Sequence, residues 1–254
     1  LPDDVSIASI FSQLASGSGV MGEGVGAIKV DDQWIGSLTA VSQDDGYWVK
    51  VDSDVSLSVL DADPVNYDAD GEVVYSIHYG NNLISYSFQT AQSLGDALGE
   101  DAAYVYAVAG EGSAALNTGT ELGGEDGWAG SLTTFEGGSG YWLVATNVEG
   151  FDFNFNGVAD GLTRTFQPVL RAVPEAYSYH QSDQQAFYFV QNATIRGEAL
   201  TSDDIVIAYN GDVIVGSRFW NGELTDIPAI GVDSQGGEMY AGYCESGDNV
   251  TFKV

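Results

Sequence analysis

Residues 152–160 carry oxygen-bearing side chains at a spacing that suits calcium. Asp152, Asn154, Asn156 and Asp160 occupy positions 1, 3, 5 and 9 of this run, and a glycine occupies position 6. An EF-hand loop begins in this way, because carboxylate and carbonyl oxygens bind calcium and the loop needs glycine for its sharp turn. The run departs from that pattern at position 12, where a threonine replaces the expected glutamate. These four residues are therefore the candidate metal ligands of an incomplete EF-type calcium site.

The same residues also fit an ordinary β-strand. Phe151, Phe153 and Phe155 alternate with the polar residues, so one strand face would be aromatic and the other would meet water. Both interpretations stay open from sequence alone. Residues 66–71 show a weaker version of the calcium pattern, and no cofactor other than calcium is expected.

Nucleophilic catalysis needs a nucleophile, a base and a group that orients the base. The chain has two histidines, His78 and His180, and a single cysteine, Cys244, and no known nucleophile motif surrounds any of them. Paired carboxylates could serve a glycosidase, but 37 acidic residues make every such pair uninformative. We therefore expect that the protein is not an enzyme, with a hydrolase as the least favoured of three functional readings.

Tryptophans are the remaining candidates for ligand binding, because aromatic faces stack on sugars. Trp34 and Trp128 occupy matching positions in two repeated blocks, which favours a role in core packing over ligand stacking. Trp220 lies in the run Arg218-Phe219-Trp220-Asn221-Gly222, where we expect it to be exposed, and we take it as the candidate ligand-binding residue.

The charge of the chain excludes several partners. Its 254 residues include 37 acidic and 7 basic side chains, a net charge of −30, so a cationic surface for nucleic acid cannot form. Hydrophobic residues make up 44% of the chain and charged residues 17%, which indicates a folded protein. No apolar run is long enough to cross a bilayer, so membrane insertion is not expected.

Three sequence blocks occur twice and in the same order, which identifies an internal repeat. They are Gly-Glu-Gly at 22–24 and 110–112, Trp-x-Gly-Ser-Leu-Thr at 34–39 and 128–133, and Gly-Tyr-Trp at 46–48 and 140–142. The first block recurs 88 residues later and the other two 94 residues later. The second copy therefore holds an insertion between its first two blocks, which we expect to be a surface loop.

Each copy begins with a predicted helix. Hydrophobic residues at helical spacing predict one from Val5 to about Ala15, with Asp4 as its cap, and a shorter one after Ser93. Strands are predicted over 73–77 and 83–88 ahead of the second helix, and the first copy has no counterpart to them.

Short β runs without helices follow residue 177. They include a hairpin around Asn210-Gly211, the strongest short hairpin signal, and a final strand from Val250 to Val254. The predicted fold class is mainly β with short helices, as two α+β repeat units and a C-terminal antiparallel β-sandwich. The predicted domains are residues 1–62, 63–167 and 168–254.

The repeated blocks resemble a repeat found in external structural proteins of marine phages and in secreted surface proteins of marine bacteria. In that repeat a helix is followed by a GEG-like turn, a W-x-GSLT segment and a GYW segment, often with a C-terminal β module after them. The residues that carry the likeness to that module are Gln185–Phe189, Asp203-Asp204, Asn210–Asp212, Val215-Gly216, Gly247-Asp248 and Thr251–Val254. The resemblance implies extracellular, non-enzymatic modules on a virion or cell surface, and it implies no catalytic residues.

The resemblance also implies a strand ahead of the helix in each copy, which the first copy lacks. An unpaired sheet edge is a hazard, and strand addition from a neighbour is one solution. We therefore expect residues 1–62 to complete their sheet with a strand from another subunit. The leading functional expectation is a structural or adhesive component of an external assembly, such as a virion appendage, a decoration protein or a surface filament. The alternative is a carbohydrate-binding module of a secreted surface protein that binds surface glycans.

Overall fold

The computed structural model describes residues 1–59, 62, 73–119, 127–157, 170–233 and 237–254. The chain divides into two compact units. Unit 1 comprises Leu1–Tyr106 and Thr134–Phe166, and unit 2 comprises Ala107–Thr133 and Gln167–Val254. Residues 107–133 are grouped with the C-terminal segment, and the division into three domains stays a prediction. The predicted boundary at residues 62 and 63 adjoins residues outside the described ranges.

The described part of the chain is mainly β with short helices, as predicted, and it contains several antiparallel sheets. In chain order the elements are α1 (Ile7–Ile10), β1 (Gly19–Gly22), β2 (Val25–Val30), β3 (Gln33–Gly36), β4 (Trp48–Lys50), β5 (Tyr75–Ile77), β6 (Gly80–Ser85), β7 (Gln92–Ser93), α2 (Leu94–Leu98), β8 (Val105–Gly110), β9 (Ser113–Asn117), β10 (Trp128–Gly130), β11 (Thr134–Phe135), β12 (Gly140–Ala145), β13 (Phe151–Phe153), β14 (Gln185–Val190), β15 (Thr194–Ile195), β16 (Glu198–Ala199), β17 (Ile205–Asn210), β18 (Val213–Phe219), β19 (Thr225–Ile230) and β20 (Val250–Lys253). Short 3₁₀ helices lie at Gly99–Tyr104, Glu175–Tyr177 and Glu238–Tyr240. Within these ranges, no helix has the length and apolar character needed to cross a bilayer.

The first repeat is a four-stranded sheet in the order β3-β2-β1-β4, with α1 packed on one face. The helix is shorter than predicted, because the chain leaves helical geometry at Phe11. Ser6, not Asp4, caps it by accepting a hydrogen bond from the Ser9 amide. Ile7, Ile10, Phe11 and Leu14, whose spacing predicted the helix, are nevertheless buried, because the turns after the helix keep Phe11 and Leu14 on the sheet.

Lys29 explains part of this arrangement. It is buried in the first repeat, and its Nζ donates to the carbonyl oxygens of Ser12 at 3.0 Å and Leu14 at 2.7 Å. The ammonium group thus satisfies backbone acceptors that the short helix leaves open.

The two repeats share helix-capping and tyrosine hydrogen bonds as well as sequence blocks. Ser93 caps α2 through the Asp96 amide, as Ser6 caps α1. The tyrosine of each Gly-Tyr-Trp block accepts a backbone N–H from five residues earlier, Ser42 to Tyr47 and Glu136 to Tyr141, both at 2.8 Å. Because equivalent residues make the same two contacts in both copies, the copies are alike in structure as well as in sequence.

The glycine of each Trp-x-Gly block has a positive φ, +154° at Gly36 and +128° at Gly130. A Cβ at Gly36 would overlap the Gly26 carbonyl oxygen, and a Cβ at Gly130 would overlap the equivalent Ala114 oxygen. These blocks therefore need glycine so that a neighbouring strand can approach closely.

Unit 1 contains a cluster of aromatic side chains contributed by β5, β11, β13 and the segment after β13. The ring centroids of Tyr75 and Phe153 are 5.1 Å apart, and those of Phe135 and Phe155 are 5.1 Å apart. Phe153 and Phe155 are almost fully buried, whereas Asp152 and Asn156 are exposed. The predicted strand is present over Phe151–Phe153, and the alternation of burial continues to Phe155, although Asn154 is half-buried.

Unit 2 has the three-stranded sheet β18-β17-β20 and the strand pair β14-β19. The predicted hairpin is present, with Gly211 at φ +59° and Asp212 as its two turn residues. Apolar side chains of β17, β18 and β19, among them Val206, Val215 and Ile227, form the core.

Candidate functional site

Unit 2 contains a cavity of about 460 Å³ beside the end of β18. That volume falls within the range of about 300–1,000 Å³ that small-molecule sites occupy. Its described lining includes three aromatic side chains, Tyr179, Phe219 and Trp220, together with Arg171 and Arg218. The other polar side chains of the lining are Ser131, Thr133, Ser202, Ser217 and Asn221.

Arg218 forms one wall of the cavity and is buried with Asp226. Arg218 Nη2 lies 3.2 Å from Asp226 Oδ2, and Arg218 Nε donates to the Asp226 backbone oxygen at 2.7 Å. The same carboxylate oxygen accepts from the Ser131 hydroxyl at 2.6 Å and the Ala114 amide at 3.2 Å. Burial raises the pKa of Asp226, and the Arg218 guanidinium opposes that rise.

This cluster of hydrogen bonds also connects residues 107–133 to the C-terminal strands within unit 2. Arg218 Nη2 donates to the Gly112 carbonyl oxygen at 2.6 Å, and Gly112 closes the second Gly-Glu-Gly block. Asp226 and Arg218 therefore bind backbone and side-chain groups from two blocks of the second repeat. Through these contacts, residues 107–133 form one compact unit with the C-terminal strands.

Arg171 lies on the solvent side of the cavity, with 57% of its side chain exposed. Its guanidinium carbon is 3.7 Å from the centre of the Phe219 ring, a cation–π geometry. Arg171 Nη1 donates to the Ser202 carbonyl oxygen at 3.0 Å and to Asp203 Oδ1 at 3.1 Å. A ring face, a carbonyl and a carboxylate thus hold the guanidinium in place while much of it stays accessible.

The expectation that Trp220 is exposed is wrong, because only 9% of the residue is accessible. Its backbone N–H donates to the Asp204 carbonyl oxygen at 2.8 Å, which directs the chain after β18 back onto the core. Trp220 packs with Leu200 and Tyr240 among others, and it also lines the cavity. It can therefore contribute to a ligand site only as part of a cavity wall.

The predicted calcium ligands are placed as follows. Asp152 accepts a hydrogen bond from the Ser76 hydroxyl at 2.7 Å. The Asn156 side chain donates to the Asp96 carbonyl oxygen at 2.8 Å, so it is engaged with α2. Asn154 is half-buried between the two phenylalanines, and Asp160 lies outside the described residues, as do residues 66–71. Calcium binding by these four residues stays a prediction.

The other reactive side chains are separated between the units. His78 belongs to unit 1, whereas His180 and Cys244 belong to unit 2. Burial raises the pKa of the Cys244 thiol, which disfavours the thiolate that nucleophilic chemistry needs. Within the described ranges, no three His, Cys, Asp or Glu side chains are arranged to hold a metal ion.

Both ring nitrogens of His78 face acceptors. Nδ1 is 2.9 Å from the Tyr79 carbonyl oxygen and Nε2 is 2.7 Å from Glu23 Oε1. These two contacts raise the pKa of His78, the carbonyl contributing most. Glu23 also accepts from the Leu83 amide at 3.1 Å, so the first Gly-Glu-Gly turn is attached to β6.

The His78 contacts predict a measurable titration. Since the pKa is raised on folding, their stabilising effect is complete below the unfolded value of about 6.5 and is lost as pH rises through the raised value. We expect the His78 ring, followed by NMR, to titrate above 6.5. In Glu23→Gln it should titrate at lower pH, while the carbonyl contact keeps part of the rise. Equal titration midpoints in the two proteins would contradict this contact.

Sequence reasoning missed Arg171, Arg218 and Asp226. A signal for the last two exists, since each is the one charged residue of a mostly apolar strand, β18 and β19 respectively. Opposite charges in two such strands suggest a buried pair, although the strands must first be known to be neighbours. Arg171 follows residues with no regular pattern, and nothing in the sequence distinguishes it.

Comparisons of the chain with protein-family models, with curated proteins and with solved structures find no match.

Proposed function

We propose that the protein is a non-enzymatic structural or adhesive component of an external assembly, a virion appendage, decoration protein or surface filament, and that its subunits associate through the first repeat. The observation that carries this proposal is a difference in exposure between equivalent strands of the two repeats. Val49 of β4 is 40% exposed, whereas its counterpart Leu143 of β12 is fully buried. Val51 is 36% exposed, and its counterpart Ala145 is 2% exposed.

The two Gly-Tyr-Trp segments also differ in their neighbours: among the described residues, a second strand runs along the segment of the second repeat but not along that of the first. β6 pairs with β12 along six residues, from Gly80 to Ser85. In the first repeat β4 is an end strand among the described residues, with β1 as its neighbour. β6 reaches only the start of this segment, at a single bridge between Ile84 and Asp45.

An incoming strand could occupy on β4 the position that β6 occupies on β12. Backbone hydrogen bonds would supply its affinity, and burial of Val49 and Val51 would supply its apolar contacts. The chain would provide both partners if its neighbours in the assembly are further copies of itself. Such head-to-tail contacts generate rings or filaments, depending on whether the rotation closes. An extracellular location agrees with the large negative charge, which salt screens within about 8 Å at physiological ionic strength.

Lysine at an exposed strand edge opposes strand pairing, so Val49→Lys should weaken self-association. We expect sedimentation velocity to show concentration-dependent oligomers for the unmodified chain and at least tenfold weaker association for Val49→Lys. Val148→Lys is the matched control, because Val148 is 78% exposed in unit 1 and lies outside the strands. It should associate like the unmodified chain. Equal behaviour of the two lysine variants, or a monomer at every concentration, would contradict the proposal.

A second candidate function, carbohydrate binding, is favoured by one specific observation. The cavity in unit 2 brings aromatic rings and hydroxyl groups to one concave surface, which is the combination that sugar rings need. An adhesive component of an external assembly could use such a cavity to bind surface glycans.

A further inference from the structure

Arginine is concentrated in the lining of the unit 2 cavity, although each arginine there is paired with an aspartate. The sequence has 37 acidic residues and 7 basic ones. Among the described lining residues there are two arginines, Arg171 and Arg218, and no aspartate or glutamate. Because the chain as a whole repels anions, a local concentration of guanidinium groups is needed for an anionic ligand to bind.

The two arginines differ in availability. Arg218 is 8% exposed and is engaged with Asp226 and the Gly112 carbonyl, so it serves mainly as a wall. Arg171 uses Nη1 for its two hydrogen bonds, to the Ser202 carbonyl and to Asp203. A guanidinium has five N–H donors, so the Nε and Nη2 donors of Arg171 can reach a ligand oxygen. Its ion pair with Asp203 is exposed, and such pairs are weak.

The other lining residues indicate what kind of ligand would carry the anionic group. Tyr179 offers aromatic surface, and the Ser202 hydroxyl offers a hydrogen-bonding group that matches ring hydroxyls. Arg171 itself covers the Phe219 ring and is therefore held in a fixed place relative to the aromatic wall. A fixed guanidinium beside aromatic and hydroxyl groups suits a sugar with an acidic substituent.

We propose that this cavity binds a saccharide that carries a carboxylate or sulfate group, and that Arg171 contacts that group. This inference rests on the carbohydrate-binding function proposed for unit 2 and adds the class of sugar. The proposal rests on Arg171 and not on Trp220, because Trp220 is too buried to stack on a sugar as an exposed ring would.

Isothermal titration of the whole chain with three probes tests the inference. The probes are trigalacturonate, a sulfated disaccharide and neutral cellotriose, all at one ionic strength. We expect one or both acidic probes to bind, and cellotriose to bind at least tenfold more weakly. The two acidic probes distinguish carboxylate from sulfate as the recognised group.

Three variants locate the site. Arg171→Gln removes a charge-assisted hydrogen bond and should weaken the acidic probe about tenfold or more. Arg196→Gln is the matched control, since Arg196 is exposed in the turn between β15 and β16 and does not line the cavity. It removes the same charge and should leave binding unchanged. Asp203→Asn removes the carboxylate that competes for Arg171, and binding should become several-fold tighter.

The outcomes separate the inference from the function on which it rests. If cellotriose binds as well as the acidic probes, carbohydrate binding stands and the anionic class is wrong. If no probe binds at 10 mM, on the order of the weakest useful affinity, both are wrong. Equal losses in Arg171→Gln and Arg196→Gln would show a general charge effect and would overturn the assignment of Arg171.

Discussion

Asp226→Ala is expected to lower the unfolding free energy of the chain by about 3–5 kcal/mol. The substitution would leave Arg218 as a buried charge without its carboxylate, at 8% exposure. It would also remove the acceptor for the Ser131 hydroxyl and the Ala114 amide. Buried donors that lose an acceptor each add a desolvation cost. Urea denaturation, followed by tryptophan fluorescence, measures the loss.

Two controls show that the loss comes from burial of the pair. Asp203→Ala also breaks an arginine–aspartate pair, but that pair is exposed, so a loss of about 1 kcal/mol or less is expected. Arg218→Met combined with Asp226→Leu removes both charges and should be more stable than Asp226→Ala alone. A double variant that is less stable than the single one would show that the charge left on Arg218 is not the cause.

Gly36→Ala is expected to cost about 3 kcal/mol, through backbone strain and steric overlap together. Gly36 has φ +154°, and an added Cβ would lie 2.6 Å from Ala27 Cα and overlap the Gly26 carbonyl oxygen. The overlap is with the backbone of β2, which cannot move without breaking its pairing with β1 and β3. Thermal unfolding with Trp34 fluorescence as one probe measures the loss.

Gly24→Ala separates strain from overlap. Gly24 also has a positive φ, +68°, but an added Cβ would meet open space. The expected loss is therefore about 1 kcal/mol, from strain alone. If Gly36→Ala and Gly24→Ala lost the same stability, close strand approach would not be the reason for glycine in the Trp-x-Gly block.

Local patterns in the sequence predicted much of the fold. The alternation of Phe151, Phe153 and Phe155 predicted which side chains would be buried, because strand geometry gives successive residues opposite faces. The Asn-Gly pair predicted the hairpin between β17 and β18, since that turn requires positive φ. The duplicated blocks predicted duplicated contacts, and Tyr47 and Tyr141 make them. The length of α1 was overestimated, because the periodicity continues through turns that Lys29 stabilises.

Features that depend on distant parts of the chain could not be predicted in this way. Asp226 and Ala114 are far apart in sequence, and only the packing of β19 near β9 brings them together. Trp220 lies in a polar, glycine-containing stretch that indicates exposure, and tertiary packing places it in the core. Arg171 has a role only because Phe219 and Asp203 surround it. The candidate site was therefore found through the structure and not through the sequence.

Backbone hydrogen exchange along β4 tests the proposal of assembly most directly. The measurement compares fragments that span β4 with fragments that span β12, at low and high protein concentration. We predict that β4 exchanges much faster than β12 in the dilute chain and becomes protected at concentrations where the chain associates, while β12 is protected throughout. Protection of β4 equal to that of β12 in the dilute chain, or exchange at β4 unchanged by association, would contradict assembly through the first repeat.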